Sequence, residues 1–490
     1  MNSSRPLVTL AALMFAIGAS LAAAPARADD PVADRAVELA KAYMKAHNID
    51  KLEQHMLLNS LFRNAIGDFT DRWQKLTNIN VVSSPLGYTD IPSKIMAEAV
   101  AKTGDFDIFN DFPYTMPDAV GAGVIMDLDK FAAKGKPDFA DIAPGLKFQQ
   151  YYNGKLYEIV LDGDQLVLAI RKDIVENPQV IKEYQAKFGK KPGCPETVDE
   201  WEQMAAYFQT KAGETRWGIK FDKPMYGAMG YRSVNFSYRH FPVYFGGLLF
   251  DKDMKPQINT PEGITAIKKF TSIVKYMPPD IQGWGTPQIY PFWGSGQAFS
   301  VMSFPSVVGY GQSNPKSVVK DKQISCLIPK TTWKGKEVRR DPQAAGTGYM
   351  VNTYSKHPEL AYYFIQWLTS PSIGAEAIAH PKGFWDPYRL SNLKNPAILK
   401  RYGKQHVETT LENTKYTVSL LMIEGNYEYF KILDNNLADV MSGNITAEEA
   451  AKKVEAGWNR VTDDIGRDRQ IKSWRAGVET GMYGATFKDM

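Results

Sequence analysis

The chain has 490 residues, of which 44% are hydrophobic and 12% aromatic, so it can build a large apolar core. A chain of this length exceeds one ordinary core and is expected to divide into two or more lobes. Its 58 basic and 54 acidic residues nearly balance, with a formal charge of +4. This balance gives no electrostatic basis for binding nucleic acid or an anionic membrane surface.

The first residues are typical of a secretion signal. Arg5 supplies positive charge, an apolar, alanine-rich stretch covers residues 7–24, and Ala26-Arg27-Ala28 fits the cleavage pattern with small residues at both ends. An uncleaved membrane anchor is the alternative, but the stretch is short and lacks a charged stop-transfer flank. The sequence therefore predicts a cleaved signal peptide over residues 1–28 and a mature protein in the periplasm.

Two cysteines, Cys194 and Cys326, are present in a chain that is expected to enter an oxidising compartment. They could form a disulfide, or both could be buried free thiols, because sequence alone does not place their Cα atoms. Both alternatives stay open at this stage. The fold is therefore expected to be stabilised mainly by its apolar core.

Short apolar strands alternate with amphipathic helices along the chain, which favours α/β lobes. An opening helix is predicted over residues 32–46. Strands are predicted, in chain order, at residues 55–59, 79–82, 107–110, 166–171, 217–221, 299–302 and 324–328.

Three helix starts carry capping signals. Thr197 with Glu200, and Thr446 with Glu449, match the capping box, in which a hydroxyl and a carboxylate each accept a backbone N–H. Thr260 places a capping hydroxyl before a proline at the first helical position. These patterns indicate packing and helix boundaries rather than function.

No motif predicts catalysis or a metal site. The six histidines are scattered, without an H-x-x-x-H or Cys/His pairing, and no G-x-S-x-G, Walker A or G-x-G-x-x-G pattern occurs. Asp251-Lys252-Asp253 begins like a calcium loop, but Lys255 and Pro256 occupy the next ligand and glycine positions. We therefore expect a protein that is not an enzyme and needs no cofactor or metal. A glycosidase pair among the scattered carboxylates stays open as an alternative.

Several segments follow one another in an order shared with a known family. The most specific is YNGKLY at residues 152–157 followed by DGD at 162–164, and the others include FDIF at 106–109, residues 195–201, residues 296–306 and GTGY at 346–349. In this order the chain resembles the extracellular solute-binding proteins, which include the maltose-binding protein and many sugar and polyol binders. The likeness runs from about Gln54 to Val461.

The resemblance implies a type II periplasmic-binding-protein fold, with two α/β lobes that are each discontinuous in sequence and joined by a hinge. The first lobe would comprise residues 29–163 and about 347–390, and the second residues 164–346 and about 391–490. A ligand held between the lobes would favour the closed state, because only that state offers contacts from both sides.

The resemblance also implies a function. The protein would be a monomer that captures a carbohydrate or polyol and delivers it to the membrane subunits of an ABC importer. Three alternatives stay open: a binder of an anionic solute such as a sugar acid or sugar phosphate, a ligand-binding partner of a periplasmic sensor, and, less favoured, a periplasmic hydrolase.

Five candidate ligand-binding residues lie at the crossings and in a first-lobe loop. Asp164 matches the family's acidic position at the first crossing, where a carboxylate accepts hydrogen bonds from ligand hydroxyls. Asp111 and Tyr114 match the family's ligand loop in the first lobe, and Gly348 and Tyr349 belong to the return crossing. The alternative for each of the two aspartates and for Tyr114 is an ordinary turn.

Aromatic and small side chains supply the next candidates. Trp284, between two glycines in a loop, is predicted to stack on a sugar ring. Ser306 matches the position of a ligand-stacking tryptophan in some relatives. Trp385 and Arg389 lie in a segment that resembles the family's late cleft-edge loop, with a solvent-exposed loop anchored by one aromatic as the alternative.

Arg232 and Asn235 complete the set, in an aromatic-rich stretch over residues 226–244. Both could bond ligand oxygens, and a buried arginine would favour carboxylate or phosphate. The alternative is a half-buried helix whose arginines extend to solvent. Strong dependence of binding on Arg232 or Arg239 would mark an anionic ligand.

Overall fold

The structure is a computed structural model that describes residues 29–234, 236–342 and 346–489. The predicted signal peptide and the candidate Asn235 therefore lie outside the described residues. None of the helices in these ranges has both the length and the apolarity that a bilayer crossing requires.

The described chain folds into helices and short strands that alternate for most of its length. The helices are α1 Pro31–Ala46, α2 Ile66–Thr77, α3 Ile91–Ala101, α4 Met116–Gly121, α5 Asp129–Gly135, α6 Lys172–Val175, α7 Pro178–Phe188, α8 Val198–Phe208, α9 Ser237–His240, α10 Pro242–Phe245, α11 Pro261–Ser272, α12 Thr286–Gly294, α13 Ser306–Ser313, α14 Pro358–Leu368, α15 Pro371–Ala379, α16 Pro396–Tyr402, α17 Lys404–Asn413, α18 Asn426–Met441, α19 Ala447–Ile465 and α20 Arg467–Glu479. The strands are β1 Leu52–Asn59, β2 Ile79–Leu86, β3 Ile108–Asp111, β4 Tyr151–Tyr152, β5 Lys155–Leu156, β6 Ile159–Val160, β7 Val167–Arg171, β8 Thr215–Arg216, β9 Ile219–Lys220, β10 Ser300–Ser303, β11 Gln323–Cys326, β12 Thr331–Trp333, β13 Lys336–Val338, β14 Asp341–Pro342, β15 Gly348–Val351 and β16 Thr417–Val418.

The larger sheet has five strands in the order β2-β1-β3-β15-β6. β1 pairs in parallel with β2 and β3, whereas the late strand β15 runs antiparallel between β3 and β6. α2 and α14 pack on this sheet and α1 packs on α14, and the Trp73 ring of α2 lies 5.5 Å from the Trp367 ring of α14. Because β15 returns from far along the chain, this lobe is built from two separate stretches of sequence.

The second lobe is centred on a smaller sheet with the order β10-β7-β11, all antiparallel. Residues Val167 to Ile170 of the central strand β7 are fully buried, as a continuous apolar run predicts. Trp201 of α8 donates its indole N–H to the Ser300 hydroxyl at 2.8 Å and so fixes that helix on β10. The predicted two-lobed α/β fold is thus confirmed.

Cys194 and Cys326 form a disulfide, with their Cα atoms 5.4 Å apart. The bond ties the loop before α8 to the edge strand β11, within the second lobe. It closes a loop of 132 residues, for which a stabilisation of about 2–4 kcal/mol is typical. The disulfide, one of the two alternatives that the sequence left open, is therefore the one that the structure contains.

The capping prediction is confirmed at α19 and half wrong at α8. At α19 the Glu449 N–H donates to the Thr446 hydroxyl at 3.1 Å, and the Thr446 N–H donates to the Glu449 carboxylate at 2.8 Å. At α8 Thr197 caps the helix, but the Glu200 carboxylate accepts from the Glu196 N–H and from Lys190 instead. Competing donors nearby therefore break the reciprocal pair.

Replacing Thr446 with alanine is expected to lower the free energy of unfolding by about 1 kcal/mol. The change leaves the Glu449 N–H without its acceptor at the start of a 19-residue helix. Urea unfolding followed by circular dichroism measures the loss. Arg460→Ala, at an exposed position of the same helix, is the control, and an equal effect in both variants would contradict the capping argument.

Candidate functional site

A small cavity lies between the lobes, where the crossing segments meet. Its apolar wall is aromatic and its remaining wall is polar. The aromatic members include Phe62, Tyr88, Phe112, Phe236, Tyr290, Phe304 and Phe384, and the polar ones Asn59, Asp162, Asp164, Arg239, Thr286, Ser306 and Thr347. The cavity measures about 30 Å³, which is space for about two water molecules. A sugar-sized ligand therefore requires the lobes to separate before it enters.

Three carboxyl groups, which we call the acidic triad, meet beside this cavity: those of Asp162 and Asp164 line it, and that of Asp386 lies next to them. Asp162 and Asp164 flank Gly163 in the first crossing, and Asp386 comes from the segment after α15. Oxygens of the three side chains lie within 4.8 Å of one another. The backbones approach closely here, because the Gly163 N–H donates to the Asp386 carbonyl at 3.1 Å and the Asp386 N–H donates to Asp162 Oδ1 at 2.8 Å.

The three members of the triad differ in how they are held. Asp386 accepts from the Ser306 N–H at 3.0 Å and from the Tyr402 hydroxyl at 2.9 Å, so both of its oxygens are fixed. Asp164 receives no N–H or hydroxyl donor from the described residues and is in hydrogen-bond contact only with the Asp386 carboxyl. Asp164 is therefore the carboxyl of the triad that is most available to a ligand.

Burial shifts the protonation of the triad. Loss of water raises the pKa of Asp162 and Asp164 well above the ordinary value of 3.8 and raises that of Asp386 as well. The neighbouring carboxylates add to the shift at Asp162 and Asp164, because like charges at this separation oppose one another. The hydrogen bond between the Asp164 and Asp386 carboxyls requires a proton, so the triad is not fully ionised.

Arg239 of α9 brings a guanidinium to the opposite wall of the cavity. It donates to the Tyr238 hydroxyl at 3.0 Å and to the Tyr114 hydroxyl. The Phe112 and Phe236 rings cover it at 4.5 and 4.8 Å. The bond to Tyr114 joins the second lobe to the first, so it forms only when the cleft is closed.

Two of the predicted site residues line the cavity directly. Asp164 is 9% exposed and faces it, and Ser306 lies beside it with its hydroxyl 2.6 Å from the Tyr290 hydroxyl. Tyr114 touches the site through Arg239 rather than through its own surface. Asn235 lies outside the described residues.

Asp111, Gly348 and Tyr349 lie behind the cavity in the first-lobe sheet. Asp111 faces Gly348 across the β3–β15 pair and accepts from the Thr115 hydroxyl at 2.9 Å. A Cβ at Gly348 would lie 2.2 Å from the Glu158 carboxylate, so glycine is needed there to accommodate that side chain. Their positions in this conformation are those of structural support beneath the cleft.

The other four predicted residues also lie away from the cavity: Arg232, Trp284, Trp385 and Arg389. Arg232 donates to the Tyr231 carbonyl at 2.8 Å and lies over the Phe270 ring at 4.1 Å. The Trp284 ring packs edge-on against Phe292 at 4.9 Å.

Trp385 and Arg389 occupy buried positions, contrary to the exposed loop that their segment suggested as the alternative. The Trp385 indole stacks on Phe62 at 4.8 Å, one layer behind the cavity wall. Arg389 donates to the Thr369 carbonyl at 2.6 Å and to the Asp138 carbonyl at 2.7 Å. Arginine is used here to satisfy buried backbone carbonyls.

Sequence reasoning did not name Asp162 and Thr347, which line the cavity, or Asp386, which lies next to Asp162 and Asp164, as ligand contacts. A signal existed for two of them. Asp162 stands two residues before the predicted Asp164, and Asp386 directly follows the predicted Trp385. The proximity of these two segments depends on tertiary contacts that no local pattern encodes.

Replacing Gly163 with alanine is expected to destabilise the protein by about 1–3 kcal/mol and to weaken ligand binding. The new Cβ would lie 2.1 Å from the Pro387 carbonyl oxygen, so the two crossing segments must separate and carry Asp386 away from Asp164. Thermal unfolding and ligand titration measure the two effects. Gly283→Ala, where no atom lies within 4 Å of the added Cβ, is the matched control. Equal behaviour of the two variants would contradict the close approach at Gly163.

The chain has the two-lobed fold of periplasmic solute-binding proteins, and comparison with solved structures shows the same fold. A solute-binding protein of Agrobacterium radiobacter in complex with ribitol matches with a TM-score of 0.70 and 21% identity, over 84% of this chain and 99% of that one. A mannitol-bound solute-binding protein of Agrobacterium vitis matches at 0.68 and 19%, over 85% and 99% of the two chains. The maltose-bound MalE3 of T. maritima matches at 0.67 and 17%, over 84% and 100%.

Sequence comparison gives the family. The family model of the bacterial extracellular solute-binding proteins matches residues 58–375, and the chain belongs to this family. A curated relative from Sinorhizobium fredii, described as a probable amino-acid ABC transporter periplasmic-binding protein, is 25% identical over 398 residues, which are 80% of this chain and 82% of the relative.

Proposed function

We propose that the protein is exported through its N-terminal signal, captures a small polyol or sugar in the cleft, and delivers it to the membrane subunits of an ABC importer. The observation that carries the proposal is the acidic triad beside Arg239 in an aromatic-walled cavity between two lobes. Carboxylates accept hydrogen bonds from ligand hydroxyls, the guanidinium donates to ligand oxygens, and aromatic rings cover the C–H faces.

The family and its relatives support the delivery step. The chain belongs to a solute-binding family, and the curated relative is described as the periplasmic component of an ABC transporter. Two structural neighbours hold ribitol and mannitol, and the aromatic residues that line this cavity among the described residues are phenylalanines and tyrosines. The lobes would comprise residues 29–163 with about 347–390, and residues 164–346 with about 391–490. Closure around the solute would present both lobe surfaces to the transporter.

An anionic solute is disfavoured by the same geometry. Arg239 would attract a carboxylate or phosphate, but the buried carboxyls of Asp162 and Asp164 line the same small cavity, and that of Asp386 lies next to them. Their repulsion would oppose an anion at this range. A hydrolase would convert its ligand into a product, and a sensor partner would bind a receptor instead of an importer. Product analysis and partner binding therefore distinguish these two alternatives from the proposal.

Thermal unfolding of the mature protein, Asp29 onward, against a panel of ribitol, mannitol, maltose, sugar acids, sugar phosphates and amino acids tests the proposal. A solute at 100 times its dissociation constant should add about 2.7 kcal/mol and raise the midpoint by several degrees. We expect a shift with a polyol or sugar and no product on chromatography of the mixture. A shift only with sugar acids and phosphates, or product formation, would contradict it. Mass spectrometry of the denatured supernatant detects a solute carried through purification.

A further inference from the structure

The acidic side chains at the cleft outnumber the basic side chains that could neutralise them. The acidic triad is at most 9% exposed, and among the described residues no lysine or arginine forms an ion pair with it. Arg239 is the cation that lines the cavity, but among the described residues its hydrogen bonds go to the tyrosine hydroxyls of Tyr238 and Tyr114. Arg401 donates to the carbonyls of Ile378, His380 and Gly383. The triad therefore lacks a positive partner in direct contact.

A second observation points to a ligand at this place. Thr347 lines the same cavity and is 1% exposed, yet its hydroxyl has no hydrogen-bond partner among the described residues. Buried hydroxyls are nearly always paired, so this one is left for a group that occupies the cavity. Asp164 likewise has acceptor capacity that no described N–H or hydroxyl uses.

We propose that the solute carries a protonated primary amine, which binds the acidic triad through Asp162 and Asp164, while its hydroxyls reach Arg239 and Thr347. The solute is then an amino polyol or an amino sugar. An ammonium has three N–H donors and no acceptor, so it suits the Asp162 and Asp164 carboxyls that line the cavity. This inference rests on the proposed capture of a hydroxylated solute.

An amine fits the triad better than a metal ion does. Calcium takes six to eight oxygen ligands. Both oxygens of Asp386 and one of Asp162 already accept from protein donors, which leaves few oxygens for such a shell. An ammonium makes only three hydrogen bonds and needs fewer oxygens.

Amine binding exchanges one positive charge for another. The proton that the Asp164 and Asp386 carboxyls share leaves to solvent when the ammonium arrives, so the amine is bound more tightly as the pH rises. The other groups that face the triad are Arg239, Arg401, Tyr231, Tyr290, Tyr349 and Tyr402. Burial raises the pKa of all four tyrosines above 10, so they stay neutral between pH 5 and 8.

Isothermal titration with matched ligand pairs tests the inference. The pairs are glucitol with 1-amino-1-deoxyglucitol, glucose with glucosamine, and the best neutral ligand of the panel with its monoamino counterpart. We expect the amine of a pair to bind at least about tenfold more tightly, as charge-assisted bonds do. We also expect the affinity of 1-amino-1-deoxyglucitol, whose aliphatic amine stays protonated over this range, to rise between pH 5 and 8, and Asp162→Asn to remove most of its advantage. Asp50→Asn, at an exposed position, is the control.

The possible results test the bound amine and the proposed solute capture separately. Equal or tighter binding of the neutral partner would overturn the amine and leave solute capture standing. Calcium chloride alone raising the unfolding midpoint of the wild type, but not of Asp162→Asn, would assign the triad to a metal instead. No binding anywhere in the panel would overturn the proposed function itself. If Asp162→Asn does not fold, the pH series on the wild-type protein decides.

Discussion

Replacing Asp164 with alanine is expected to weaken solute binding by about 1.5–3 kcal/mol, the range for hydrogen bonds to a charged group, or about 10–150-fold in Kd. Asp164 faces the cavity and has no N–H or hydroxyl donor from the described protein, so its acceptor capacity is left to the solute. Its removal takes away an acceptor that no neighbour can replace. Titration calorimetry with the best ligand of the panel measures the change.

The same substitution should not destabilise the ligand-free protein. Asp164 lies among two other buried carboxyls, and the repulsion between them disappears with the side chain. We therefore expect an equal or higher unfolding midpoint together with the lower affinity. Asp173→Ala, which removes a carboxylate bonded to Arg171 outside the cavity, serves as the control for affinity. Wild-type affinity in a folded Asp164→Ala protein would remove this residue from the site.

Replacing Asp111 with asparagine is expected to make the protein more stable at pH 8 by up to about 4 kcal/mol, with little change at pH 4. Burial raises the pKa of Asp111 from 3.8 to about 7. A pKa raised in the folded state gives stability that is complete below about pH 4 and is lost as the pH rises to about 7. That interval corresponds to about 4 kcal/mol, and the neutral amide does not incur the loss.

Urea unfolding of the wild type and of Asp111→Asn at pH 4, 6 and 8 measures the difference. The asparagine amide oxygen can still accept from the Thr115 hydroxyl, so the local structure is kept. Asp50→Asn, at an exposed position, should show no pH-dependent difference from the wild type. A constant difference between wild type and Asp111→Asn across the pH range would contradict the argument from burial.

The sequence predicted the sheets well because their strands are apolar runs with local boundaries. The strand predicted over 166–171 is β7, and that over 299–302 is β10 within one residue. The strand predicted over 217–221 shrinks to β9, Ile219–Lys220, because Trp217 has a positive φ of 56° and turns the chain. A tryptophan with this left-handed backbone conformation results from tertiary structure, and residue preferences do not predict it.

The binding residues were harder to predict, for a physical reason. Asp164 and Ser306 lie at the cavity, as the family resemblance predicted. Asp386 and Asp162 come together at this place only because two crossing segments meet at Gly163. The ring of Trp385, a stacking candidate in the sequence, stacks on Phe62 instead of facing the cavity. Side-chain type suggests what a residue could bind, whereas partners distant in sequence decide what it does bind.

The closed cavity has a kinetic consequence. Its 30 Å³ cannot admit a polyol, so each association event must wait until the lobes part and the Arg239–Tyr114 bond breaks. The observed association rate should therefore rise with solute concentration only until opening becomes the slower step, and then level off. In a stopped-flow experiment the rate at the plateau would equal the opening rate. Tyr114→Phe, which removes the hydroxyl that bonds the two lobes through Arg239, would raise that rate.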